Sequence, residues 1–108
     1  MNFVDLYSLT LHRVIAEKMI SNGEAILSIA KGNLERWLKS ESFSGTEARP
    51  LLEWKDILEN SSVEEIRRTI MADTDEGQRL RSSSPFTGIL SKTERESYWS
   101  ECAEIRPV

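Results

Sequence analysis

Apolar residues recur at helical spacing along most of the chain, and no segment combines sustained two-residue alternation with hairpin turns. From Leu11, the positions Val14, Ile15 and Met19 share one helical face, and Thr10 is placed to cap its start. Before them, Phe3, Val4, Leu6 and Tyr7 predict a lead-in that packs instead of hanging free. Ser21-Asn22-Gly23 then punctuates the pattern, because Asn and Gly tolerate the left-handed backbone that ends a helix. In the next run, Ile26, Ile29, Ala30, Leu34, Trp37 and Leu38 cover one broad face, with Lys31, Glu35, Arg36 and Lys39 on or near the other. A stripe that wide suits a helix between two neighbours. Gly32 inside it costs about 1 kcal/mol relative to alanine, and close approach of another helix is the expected reason.

Ser40 to Arg49, with Ser, Gly and Thr and few apolar residues, predicts a long mobile loop. Pro50 suits the first position of a helix, whose inward face is Leu51, Trp54 and Leu58 with Ile57 beside them. Ser62-Val63-Glu64-Glu65 is a capping box, and a short helix follows with Val63, Ile66 and Ile70 inward and Arg67 and Arg68 outward. Asp73-Thr74-Asp75-Glu76 predicts a second box, opening a helix that runs to about Ser82. Ser91-Lys92-Thr93-Glu94 predicts a third, and its helix carries Tyr98, Trp99 and Cys102 inward until Pro107 ends it. These elements predict an all-α fold: a compact single domain over residues 1–108, with about five or six helices, no sheet and no internal repeat.

Composition narrows the function classes. The 108 residues suffice for one core, and 30% charged with 39% hydrophobic residues describes a globular chain. A formal charge of -4 disfavours general attraction to duplex DNA or an anionic membrane. With Cys102 as the one cysteine, no intrachain disulfide forms and a reducing compartment is expected. No apolar run approaches the ~20 residues of a spanning helix, and the start lacks a signal-peptide pattern. A cytoplasmic protein without a membrane partner is the expectation.

Candidate chemistry is sparse. His12 and Cys102 are the single imidazole and thiol, far apart in sequence, so no zinc spacing occurs and no metal or other cofactor is expected. Asp73, Asp75 and Glu76 lack the oxygen-rich loop and glycine of a calcium site and are read as helix caps. A Cys–His nucleophile requires the fold to join the two ends, and His12 is read instead as a surface or packing residue. Ser82, Ser83 and Ser84 form no G-x-S-x-G elbow, and Gly77 and Gly88 stand alone. No catalytic residue is assigned, and an enzyme is not expected. Trp37, Trp54 and Trp99 fall on apolar faces and are read as core, whereas an exposed tryptophan would mark a partner contact.

The stretch from Arg79 to Arg95 draws the most features together. Pro85 biases Ser84 to extended backbone and breaks the helix, Phe86 is a compact apolar plug, and Gly88 permits a tight turn before Ile89 and Leu90. Arg79 and Arg81, two apart, point about 160–200° from each other on a helix, so one at most is fully outward. With Arg95 they predict a cationic corner beside Ser83 and Ser84, able to bind an anion or a partner's carboxylate. The plainer assignment, which local pairing favours, is that these arginines tie the turn to helix C-terminal carbonyls and to Asp73, Asp75 or Glu76.

Four patterns carry a resemblance: Leu11-His12-Arg13-x-Ile15-Ala16-x-Lys18, Ala30-Lys31-x-Asn33-Leu34-x-Arg36-Trp37, Trp54-Lys55-Asp56-Ile57-Leu58, and Arg79-Leu80-Arg81-x-Ser83-Ser84-Pro85-Phe86-x-Gly88-x-Leu90 with Glu94-Arg95. In these the chain resembles small uncharacterised bacterial helical proteins of the kind found in toxin–antitoxin-like gene pairs. The resemblance implies a protein partner and an antitoxin-like neutralising role, and it transfers no catalytic residue. The expected function is therefore a non-enzymatic protein–protein interaction module with Arg79, Arg81, Ser83, Ser84 and Arg95 at its contact. The alternative is a nucleic-acid-binding regulator using Arg67, Arg68, Arg79, Arg81 and Arg95, which the acidic balance disfavours.

Overall fold

A computed structural model describes residues 2–40 and 48–105, and those residues form five helices and no strand. They are α1 (Phe3–Lys39), α2 (Arg49–Asn60), α3 (Val63–Met71), α4 (Asp75–Arg81) and α5 (Lys92–Ile105). The all-α expectation is met. Residues 41–47 of the expected mobile loop, and Pro107, lie outside the described residues.

Helix α1 begins earlier than the sequence predicts. Asn2 is its cap, accepting from the Asp5 N–H at 2.8 Å, and Thr10 lies inside the helix with its hydroxyl donating to the Leu6 carbonyl at 2.8 Å. The apolar lead-in supplies the reason: Leu9 is buried, and Phe3 and Tyr7 present ring edges to Trp99. Ser21-Asn22-Gly23 bends α1 without ending it. Asn22 takes φ -130 and ψ 33, so two helical segments run on across a kink.

Another helix comes close at the kink. A Cβ at Gly23 would stand 3.2 Å from Val63 Cγ1 of α3, whereas a Cβ at Gly32 would meet nothing within 4 Å among the described residues. The close approach expected at Gly32 is thus at Gly23. Gly32 instead faces a shallow groove between Lys31 and Glu35.

The short helices follow their caps. Pro50 occupies the first turn of α2. Ser62 and Glu65 complete the α3 box with two bonds of 3.1 Å, as Ser91 and Glu94 do before α5. At α4 the cap is Thr74, not Asp73, and its hydroxyl accepts from Gly77 N–H at 3.0 Å. Gly77 has no substitute there, since a Cβ would fall 2.2 Å from the Ala72 carbonyl oxygen.

Helix α1 packs against all four other helices, and α3 against α4. Trp54, Ile66 and Ile70 are wholly buried at the centre. Three faces depart from expectation. Ile29 and Trp99 are 44% and 48% exposed, and Trp37 is half-buried, because α1 and α5 carry more apolar surface than their neighbours cover. Arg67 turns inward and donates to the Ala16 carbonyl at 2.7 Å, capping a backbone oxygen of α1 instead of facing water. No described helix is long and apolar enough to cross a membrane.

Candidate functional site

The turn after α4 begins with two tight backbone bonds, Ser83 N–H to the Leu80 carbonyl at 3.3 Å and Ser84 N–H to the Arg81 carbonyl at 3.2 Å. Pro85 ends the helix and is itself buried. Phe86 is 5% exposed, with its ring edge-on to Trp54 at 5.7 Å and to His12 at 6.5 Å. Gly88 takes φ 87, the left-handed region that glycine enters without strain, and Leu90 returns to the core.

Polar groups from distant elements hold this turn. Asn33 of α1, only 6% exposed, donates from Nδ2 to the carbonyls of Pro85 at 2.8 Å and Thr87 at 2.9 Å, while its Oδ1 accepts from Arg36. Trp54 donates from Nε1 to the Leu80 carbonyl at 2.8 Å. His12 lies 2.7 Å from the Ser8 carbonyl through Nδ1 and 2.7 Å from Ser84 Oγ through Nε2. A carbonyl only accepts, so Nδ1 carries the proton and Nε2 of the neutral ring accepts from the Ser84 hydroxyl. Burial pushes His12 down to about 4, the Ser8 carbonyl opposes the shift, and Arg81 adds to it. Ser84 Oγ accepts in turn from the Phe86 N–H at 3.2 Å.

Sequence reasoning assigned neither Asn33 nor His12 to this turn. Asn33 gave a usable signal, because it is a polar residue between Ala30 and Leu34 on an otherwise apolar stripe. His12 gave none, since its partner is 72 residues away.

The expected arginine corner divides. Arg79 points to the acidic side of α2, pairing with Glu53 at 2.8 Å and with Glu76, and these carboxylates, Glu76 first, hold its guanidinium above the usual range. Arg81 is 4% exposed. Its Nη1 donates to the Ala72 carbonyl at 2.6 Å and the Ile70 carbonyl at 3.3 Å, closing the C-terminus of α3. Its Nε and Nη2 are buried without a hydrogen-bond partner among the described residues. Burial lowers the Arg81 pKa; Asp73 opposes this, Arg13 adds to it, and Asp5 opposes it. Arg95, exposed on α5, faces the same space as Arg81.

That space is a cavity of about 490 Å³ walled by Arg81, Ser83, Ser84, Arg95, His12 and Phe86 among others. Four of the five predicted binding residues therefore meet in one place, and Arg79 is outside its wall. Leu11 and Arg95 continue from the cavity into a neighbouring groove with Tyr7, Lys92, Glu96 and Trp99. There the Trp99 ring is braced by the edges of Phe3 at 4.4 Å and Tyr7 at 5.0 Å, and the Tyr7 hydroxyl donates to the Arg95 carbonyl at 3.2 Å.

Cys102 is buried under this face, its thiol donating to Thr10 Oγ1 at 3.5 Å. Its hydrogen-bond partner is thus Thr10, while both ring nitrogens of His12 are taken by Ser8 and Ser84. Among the described residues, no three His, Cys, Asp or Glu side chains gather as a metal site would require. Neither family models, curated proteins nor solved structures provide a match to this chain.

Proposed function

We propose that this protein is a non-enzymatic protein-interaction module whose contact surface runs from Trp99 across Arg95 toward the cavity. The observation that carries the reading is Trp99, 48% exposed on α5 yet held in one orientation by Phe3 and Tyr7. A large ring fixed before binding loses little conformational freedom on association, which is why tryptophan anchors so many interfaces. Arg95 borders it, with Lys92 paired to Glu96 at 3.8 Å, so the fitting partner is a protein offering an apolar pocket or side chain with an acidic residue placed for Arg95. The motif resemblance gives this reading its antitoxin-like form, with the neutralised partner encoded in the same gene pair.

Nucleic-acid binding finds less support. Of the five arginines it needs, Arg67 is held by Ala16 and Glu64, Arg79 by Glu53 and Glu76, and Arg81 is buried. Catalysis by the Ser84–His12 pair is disfavoured by the weak basicity of an imidazole lowered to about 4.

The test is isolation of native complexes with the tagged protein and with Trp99→Ala, followed by mass spectrometry. One or more proteins held by the parent and lost by the variant are expected, with helix content by circular dichroism unchanged. A nucleic-acid cargo released steeply by salt, insensitive to Trp99, would favour the regulator instead.

A further inference from the structure

Arg81 poses a problem that the turn alone does not solve. A guanidinium taken out of water needs its N–H groups paired, and leaving them unpaired costs far more than an ordinary hydrogen bond yields. Here Nη1 is used by two backbone carbonyls, while Nε and Nη2 are buried and bonded to nothing among the described residues. Those two nitrogens form one edge of the guanidinium, the edge whose parallel N–H groups match the two oxygens of a carboxylate. Among the described residues no carboxylate bonds it: the nearby Asp5 accepts from Gln78 at 2.6 Å, and Asp73 is exposed.

The surroundings define the rest of the ligand. Arg81 and Arg95 both contribute to the cavity wall, as do the hydroxyl-bearing Ser83 and Ser84, whereas Leu11, Ile15, Leu51 and Leu90 supply apolar surface. A volume of about 490 Å³ lies within the range of small-molecule sites, which combine mostly apolar walls with a few convergent polar groups. We infer that the cavity binds a small organic acid, its carboxylate received by the Nε–Nη2 edge of Arg81 and by Arg95, its apolar body against the leucine and isoleucine side chains. Because Nε and Nη2 are buried, the wall must give for the acid to reach them. The Ser82–Ser84 segment of that wall is held by its backbone turn bonds, by the Ser82 hydroxyl on the Arg79 carbonyl and by the Ser84 hydroxyl on His12, so entry of the acid must open some of these bonds.

Trp99 is outside this wall, so the inference stands or falls separately from the protein-binding reading. Its test uses benzoate as the probe, benzamide as the neutral isostere and inorganic phosphate as the anion without an apolar body. The signals are the Arg81 Nε–H resonance by NMR and the melting temperature of the full chain. Benzoate is expected to shift that resonance saturably and raise the melting temperature, with benzamide and phosphate at least tenfold weaker. Arg95→Gln, at an exposed position, should keep the fold and weaken benzoate several-fold. An unmoved Arg81 resonance, equal binding of benzamide, phosphate binding without benzoate, or full affinity in Arg95→Gln would each overturn the inference.

Discussion

Residues 82–91 lack a helical ladder, yet Pro85, Phe86 and Leu90 within them are buried. Helix α5 follows directly with a complete capping box and a regular helix, and it buries Cys102 while leaving Trp99 48% exposed. The turn is held from far away, by Asn33, His12 and Trp54, and each of those bonds spans at least 26 residues. The start of α5 is held by Ser91 and Glu94, three residues apart. Local order and burial are therefore separate properties here. The irregular segment is a structural keystone, and the regular helix has surface to spare for a partner.

The largest expected effect is on the turn. Phe86→Ala removes a ring packed between Trp54 and His12 and should cost about 3–5 kcal/mol, through lost transfer energy and a residual cavity. Denaturant unfolding measures this, and a cost under about 1 kcal/mol, the scale of a surface change, would mean that the turn is not held by its plug.

Acid should act on the same region. Well above pH 6.5 the His12 ring is neutral in both the folded and the unfolded chain; between 6.5 and about 4 the unfolded chain takes up the second ring proton and the folded chain does not. The unfolded state binds more protons in that window, so stability falls as pH drops through it, by about 3 kcal/mol at the lower end. Glu65, Glu76 and Glu94 have pKa values lowered from 4.5 by their hydrogen-bond partners, so their contributions are complete well above 4.5 and are lost as pH falls below it. His12→Gln should flatten the slope between 6.5 and 4.5, and an unchanged slope in that variant would remove His12 as its source.

A smaller effect is expected at the start of α5. Ser91→Ala loses one half of a capping box and should cost about 1 kcal/mol. Hydrogen exchange should rise in the first turn of α5 and stay unchanged at Phe86 and Leu90. Loosening of both together would join the two regions into one cooperative unit.

This contrast also marks what was legible in the sequence. Ser62-Glu65, Ser91-Glu94, Pro50 and the plug Phe86 were readable because each is decided by neighbours within a few residues or by plain hydrophobicity. Thr10 misled because its capping chemistry competes with the apolar residues before it, which carry the helix back to Phe3. Gly23 and Gly32 were indistinguishable without knowing where α3 crosses. Of the candidate site, Arg81, Ser83, Ser84 and Arg95 were legible as a cluster. That Arg79 turns to Glu53, and that His12 meets Ser84, depends on contacts 26 and 72 residues apart.

Trp99→Ala gives up ring contacts with Phe3 and Tyr7, at about 0.5–1.5 kcal/mol each, and should change binding more than stability. The decisive measurement is the affinity of the isolated protein partner for the parent and for Trp99→Ala at matched salt. An interface anchor predicts a loss of at least about thirtyfold, equivalent to roughly 2 kcal/mol, with both proteins folded at the temperature of measurement. Equal affinity for the two proteins would place the partner elsewhere and contradict the α5 face as the contact surface.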